Sequence, residues 1–319
     1  MSHAETESLH QSVLLDECVD ILNAEDGELF VDATLGLGGH AEAILNISET
    51  ARVIGIDQDK EALSLATARL KVFGSRFFPF QSNFTAIADV VDKAKLGEPD
   101  GILADLGVSS LQLDSDRRGF SFRFDAPLDM RMDQDSDDET AAELIARLSH
   151  EELANIIYRF GEERASRKIA RWIIEKREAG EPITTTFELA ELVRRAVKTN
   201  SKDRTHPATR TFQALRIAVN HELDILKQFI FDSVEILKTN GVLAIITFHS
   251  LEDRIVKHAF QLLAGKCQCP PRIPQCICGT AKKVEILTKK PILPSEFEME
   301  RNSRSRSAKL RACRKLENQ

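Results

Sequence analysis

Long hydrophobic runs are missing from this chain. The most continuous apolar stretch, Val242–Phe248, is far too short to cross a bilayer. Met1–His10 is polar and carries acids, so no secretory signal is expected there. Six cysteines without such a signal point to a reducing compartment, the cytoplasm, rather than to a disulfide scaffold. Internal repeats and low-complexity tracts are also lacking, so no repeat architecture is expected. No G-x-S-x-G elbow accompanies the adjacent His249 and Ser250, which leaves a serine hydrolase without its usual turn. Positive charge is in deficit too. A formal net charge of −7 does not suggest a general nucleic-acid binder.

What is present is an ordinary globular composition, 42% hydrophobic and 29% charged over 319 residues, enough for one large or two modest domains. Short apolar runs at Leu29–Thr34, Arg52–Asp57, Phe77–Gln81 and Gly101–Leu106 alternate with helical patterns such as Lys60–Phe73, the mark of buried parallel strands. The alternation stops. From about Thr140 to Lys198 consecutive amphipathic helices are predicted, one with Ala165, Ile169, Trp172 and Ile173 on a single face. Another carries Leu189, Leu192, Val193, Ala196 and Val197 after a cap at Thr184–Thr186. A helix over Glu222–Lys238 and a fifth strand at Gly241–Phe248 follow, with strand candidates at Val284–Thr288 and Ser307–Cys313. The expected architecture is α/β: a doubly wound sheet, residues 1–130 and 222–319, interrupted by an inserted all-helical domain over 131–221.

The most informative segment is Leu29–His40, an apolar run ending in Asp32 and breaking into Gly36-Leu37-Gly38-Gly39-His40. Glycine suits such a turn because it accepts positive φ and brings a ligand close to bare backbone. The next apolar run ends at Asp57, about 20 residues on, the usual separation between a nucleotide-binding turn and a ribose-binding acid. The turn also fits G-x-G-x-x-A, so a nicotinamide dinucleotide remains open. Asp32 argues the other way, since a carboxylate there repels a pyrophosphate and suits an ammonium group. Gln81-Ser82-Asn83-Phe84, after the third run, offers a polar and aromatic tip to cover an adenine. These features favour S-adenosylmethionine, which carries an amino group, a sulfonium and no phosphate.

Other segments read as reserved for chemistry or as ordinary structure. Asp105 ends the fourth strand and should lie beside the glycine turn, or simply cap a turn; Gln112 has the same two readings. Arg117–Met132 is a long connection, fit for a substrate clamp or for glue between the domain and its insertion. His206–Arg216 opens a helix with Pro207 in its first turn, and Arg210 and Arg216 face either a polyanion or surface acids. Arg301–Lys315 holds seven cations and no acid, as a docking strip for phosphate or a solvated tail. Cys267, Cys269, Cys276 and Cys278 have ligand chemistry for zinc. Their C-x-C spacing is tighter than structural zinc sites use, and no metal is expected.

Taken together, these stretches resemble one family, the 16S ribosomal RNA cytosine-N4 methyltransferases (MraW/RsmH). The similarity is carried by His10–Glu17, Gly38-Gly39-His40, Asp105–Gln112, Arg118–Met132, His206–Asn220, Phe248–Arg254 and Ser305–Arg311, spread over nearly the whole chain. The chain departs from the family pattern at Asn302-Ser303-Arg304, where Asn-Pro-Arg is expected, and its cysteine pairs occur in only some members. The resemblance implies a class I (Rossmann-like) S-adenosylmethionine-dependent methyltransferase sheet with an inserted helical domain for substrate recognition. It implies cofactor contacts at Gly38, Gly39, His40, Asp57, Phe84, Asp105 and Gln112. It further implies 16S rRNA of the small ribosomal subunit as partner, with methylation of the exocyclic N4 amine of a cytidine in the decoding region, the P site. No membrane partner is implied, and a homodimer stays open.

The fourth strand lacks the Asp/Asn-Pro-Pro-aromatic motif with which many amino methyltransferases draw an amine toward tetrahedral geometry. Backbone carbonyls near Leu106–Gly107, helped by His249 or Ser250, are the expected substitutes. The base is expected to leave its stack, held by basic residues of the insertion and of Arg301–Lys315.

Overall fold

The computed structural model describes residues 12–197, 206–267, 269 and 281–317. Its backbone divides into two compact units, residues 1–107 with 223–319, and residues 108–222.

The first unit is built on seven strands: β1 (Leu29–Asp32), β2 (Arg52–Asp57), β3 (Phe77–Gln81), β4 (Gly101–Asp105), β5 (Val242–Thr247), β6 (Val284–Ile286) and β7 (Lys309–Lys315). Their order is β3-β2-β1-β4-β5-β7-β6. The first five run parallel, while β7 pairs antiparallel with both β5 and β6. Strands β1 and β5 are buried at every position, which fits continuous apolar runs covered on both faces. The pleat sorts their side chains by twos. Leu29, Val31, Ile54, Ile56, Ile102, Ala104, Leu243 and Ile245 enter one core with Phe229, Ile230 and Phe260. Phe30, Val53, Leu103, Ala244 and Ile246 enter the opposite core with Leu14, Ile44 and Leu70. This is the doubly wound α/β sheet, interrupted after its fourth strand, that the sequence led us to expect.

Several boundaries shift for local reasons. The helix expected over Lys60–Phe73 stops at Leu70, and a tight turn containing Gly74 at φ 57° carries the chain into β3. The last strand begins at Lys309 rather than Ser307, because Ser303–Ser307 winds into a 3₁₀ turn capped by Asn302. Arg301–Lys315 is therefore no tail, since about half of it is an interior strand of the sheet, between β5 and β6.

The second unit holds the short helix Ser110–Asp114 and packs five longer ones, Ala141–Arg147, His150–Gly161, Ser166–Glu178, Thr186–Ala196 and Thr209–Asn220, around their own apolar core. Three of the longer ones start in capping boxes, with Thr140 and Glu143, Ser149 and Glu152, and Thr185 and Glu188 satisfying each other's backbone donors. The last helix starts at Thr209, which leaves Pro207 outside rather than in its first turn. Gly161 lets His150–Gly161 approach Thr209–Asn220, because a Cβ there would stand 2.4 Å from the Arg210 carbonyl oxygen.

The boundary of this unit falls near residue 108 rather than 131. Phe120, Leu128, Met130 and Met132 bury themselves in the helical core, so the connection packs as part of the insertion. Asn220 clasps it, accepting the Met132 N–H at 2.8 Å and donating to the Met130 carbonyl at 2.8 Å. Arg118 is buried and donates to the Met132 carbonyl at 2.8 Å.

Candidate active site

Three strands end in aspartate, and all three acids gather at the carboxyl edge of the sheet: Asp32 on β1, Asp57 on β2 and Asp105 on β4. Ligands of open parallel sheets bind at that edge. Between them runs the glycine turn. Gly36 and Gly38 take φ of 53° and 78°, conformations that favour glycine. Gly38 then serves as N-cap of the helix Gly39–Ile47.

Asp57 fixes this turn as well as facing it. Its Oδ2 accepts the Gly36 N–H at 2.8 Å and its Oδ1 accepts the Asp59 N–H at 2.8 Å. Thr34 ties the turn to β4, its Oγ1 accepting the Asp105 N–H at 2.6 Å. After β3, Asn83 donates to Gln58 Oε1 at 2.7 Å, and Phe84 packs edge-on against Phe229 with ring centroids 4.9 Å apart.

The His40 side chain is buried, its Nε2 donating to the Val13 carbonyl at 3.0 Å. That bond lays residues 12–14 over the turn, and a Cβ on Gly39 would collide with Ser12 Oγ. Leu14, at φ 53°, donates its N–H to Glu298 Oε1 at 2.9 Å. His40 is thus left to offer its backbone at the helix start.

The electrostatics of the edge are unusual. Asp32 is 1% exposed, and its Oδ2 is buried without a hydrogen-bond partner among the described residues. Burial, reinforced by the Asp57 charge, pushes its pKa from 3.8 up to about 7. Asp105 has a buried, unpartnered Oδ1, and burial together with Asp32 and Glu252 lifts its carboxyl well above the usual range. The buried Cys18 thiol is raised by burial and then by Asp105, so it is no reactive thiolate. A cluster of carboxylates this poorly compensated fits a cation and repels a diphosphate.

At the end of β5, His249 is the N-cap of the helix Ser250–Leu263. Its Nδ1 accepts the Glu252 N–H at 3.4 Å, and its Nε2 lies 3.0 Å from Glu252 Oε1 without an aligned hydrogen bond. Ser250 is exposed. Glu252 Oε2 accepts the N–H groups of Phe248 at 2.8 Å and His249 at 3.3 Å.

Gln112 belongs to the second unit, where it completes a capping box with Ser109 and is buried. Most cations of Arg301–Lys315 are committed internally. Arg311 pairs with Asp253 at 2.6 Å, Arg314 with Glu285 at 3.6 Å, and Lys315 donates to the Glu235 and Leu237 carbonyls. Arg301 lies over Phe297. Arg216 likewise forms a two-bond pair with Glu222, whereas Arg210 is exposed and 4.0 Å from Glu163. Cys276 and Cys278 lie outside the described residues, and Cys269 donates its N–H to Cys267 Sγ at 3.4 Å. Sequence reasoning missed Thr34, Cys18 and Glu252; only their neighbours in space give them away.

No helix among the described residues is long and apolar enough to cross a membrane. Residues 7–316 match the MraW methylase family. A protein named ribosomal RNA small subunit methyltransferase H from Carboxydothermus hydrogenoformans is 49% identical over 307 residues, covering 96% of this chain and 98% of its own. Proteins of the same name from Clostridium botulinum and Trichlorobacter lovleyi are each 50% identical, over 308 and 309 residues, covering 96% of this chain and 99% and 98% of theirs. A donor with two positive centres and no phosphate is what the acid-lined edge suits, and, with the match running almost end to end, the chain belongs to the MraW methylase family of S-adenosylmethionine-dependent methyltransferases.

Proposed function

We propose that this protein methylates the exocyclic N4 amine of a cytidine in the decoding region of small-subunit ribosomal RNA. The observation that carries the donor half of this reading is the trio of strand-end aspartates around the glycine turn, two of them with buried, unpartnered oxygens. The names of the relatives support the RNA half. S-adenosylmethionine, when bound, supplies an electrophilic methyl group on sulfur.

The chain's own residues do the rest. Asp57, its carboxylate oriented by the Gly36 and Asp59 N–H groups, accepts from the ribose hydroxyls. Gly38, Gly39 and the His40 backbone line the turn, and Phe84 covers the adenine. Asp32 and Asp105 offset the positive charge. The tips of β4 and β5 hold the amine in line with the methyl carbon, and such orientation supplies much of the acceleration. The His249 ring is engaged as a helix cap, so its contribution is to position the β5 tip.

RNA phosphates are met by the insertion. Arg159, Arg164 and Arg167 are exposed, their guanidinium groups make no ion pair or hydrogen bond among the described residues, and they cluster in sequence around the turn that ends at Ser166. Tritium transfer from labelled S-adenosylmethionine to small subunits, followed by nucleoside analysis, tests the reading. Label in N4-methylcytidine is expected; label confined to another nucleoside, or none above the level given by large subunits, overturns it.

A further inference from the structure

The parallel ladder between β4 and β5 breaks off one rung early. Its register pairs Asp105 with Ile246, and Leu106 donates its N–H to the Ile246 carbonyl at 3.0 Å. The next rung of a parallel pair would run from the Phe248 N–H to the Leu106 carbonyl. That rung is missing. The Phe248 N–H donates instead to Glu252 Oε2 at 2.8 Å. Among the described residues no donor reaches the Leu106 carbonyl, although Leu106 is only 7% exposed. Backbone carbonyls of buried residues are mostly paired, so this one stands out.

Glu252 is also more than an ordinary cap. The capping-box glutamates of the helical unit, Glu143, Glu152 and Glu188, are all exposed. Glu252 is 2% exposed, and burying a carboxylate is costly when a surface glutamate would cap as well. The open carbonyl follows Asp105 directly in the chain, which places it at the carboxyl edge of β4. Gly107, at φ 107°, turns the chain there, and a Cβ on it would touch the Phe248 ring at 3.5 Å.

We propose that Glu252 is a positioning residue for amine methylation: by drawing the Phe248 N–H out of the sheet, it frees the Leu106 carbonyl to accept a hydrogen bond from the exocyclic amine. The proposal rests on the amino-methylation reading above. An amine N–H donating to a fixed carbonyl shifts electron density onto nitrogen and favours the tetrahedral geometry of the attacking lone pair. As the N–C bond forms, the C–S bond breaks and the sulfur keeps its electrons, and N4 then gives up one proton to solvent. The Leu106 carbonyl takes the place of the acceptors that the missing Asp/Asn-Pro-Pro motif would supply.

The test uses the full chain with Glu252→Ala, Glu252→Asp and Glu252→Gln. The free protein, labelled with carbonyl-¹³C leucine and ¹⁵N glycine, reports the Leu106 carbonyl through the Gly107 amide, one of four Leu–Gly steps in the sequence. In Glu252→Ala the Phe248 N–H returns to the sheet, so the Leu106 resonance should move in the direction of a hydrogen-bonded carbonyl. Single-turnover methylation should fall at least about tenfold, the effect of one hydrogen bond lost at the transition state, with RNA KM and donor Kd within twofold. Glu252→Gln keeps an acceptor for Phe248 and should restore both the resonance and most of the rate. If Glu252→Ala fails to fold, Glu252→Asp, one methylene too short, should show the same shift and rate loss. An unmoved Leu106 resonance, an unchanged rate, or a loss of melting temperature and rate that Glu252→Gln does not restore overturns the proposal. Failure of the parent reading is seen separately, as absence of N4-methylcytidine in the product of the unaltered protein.

Discussion

Replacing Asp32 with Asn should stabilise the donor-free protein, and increasingly so as the pH rises. Asp32 titrates near 3.8 in an unfolded chain and at about 7 in the fold, chiefly because it is buried. Between those values the folded protein holds a proton that the unfolded chain has released. Stability therefore falls as pH rises through this window, and the full penalty is present above about 7. At 1.36 kcal/mol per pKa unit the gap amounts to about 4 kcal/mol, of which about 2–3 kcal/mol accrues between pH 5 and pH 8. An asparagine carries no charge to desolvate, and its carbonyl can still accept the Thr34 N–H. Whatever the amide costs in packing, the stability difference between variant and parent should widen by about 2–3 kcal/mol over that range.

Urea unfolding followed by circular dichroism measures it, since the lone Trp172 reports only the helical unit. The same substitution should weaken donor binding, because a positive ligand loses a counter-charge. In the unaltered protein at pH 7, binding should release a proton, seen as a dependence of calorimetric enthalpy on buffer. A stability difference that does not vary between pH 5 and pH 8 would refute the reasoning.

Asp57→Ala should weaken S-adenosylmethionine binding by about 1.5–3 kcal/mol, the worth of hydrogen bonds to a charged group, and calorimetry showing unaltered affinity would remove the ribose contact. Changing Arg159, Arg164 and Arg167 together to Gln should flatten the salt dependence of RNA binding by roughly two to three units of log–log slope; an unchanged slope places the phosphates elsewhere. Gly161→Ala should loosen the helical unit by about 1–3 kcal/mol, because its methyl must displace the Arg210 backbone, and Trp172 fluorescence against urea checks it.

The sequence displayed the sheet well because buried parallel strands have no polar face to blur them: five short apolar runs, three closed by aspartate, are β1 to β5. It displayed the glycine turn and its acids for the same reason. Hydrogen-bond allocation was hidden. Arg311 looked available for phosphate, yet Asp253, 58 positions earlier, claims it. Glu252 sat inside a recognisable motif, but which amide it captures depends on where β4 ends. The connection at Arg117–Met132 showed no periodicity because its order comes from Asn220, which lies 88 residues beyond Met132 and locks it by paired backbone contacts.

The lock between Leu14 and Glu298 spans 284 positions and sits beside the turn that His40 pins to Val13. During synthesis the early strands emerge long before their far fastener, so in a nascent chain only the His40–Val13 bond holds residues 12–14 across the glycine loop. Capacity to retain the methyl donor should arrive late, once residue 298 has left the exit tunnel. Products of premature termination would be inert even where every strand of the parallel half is intact.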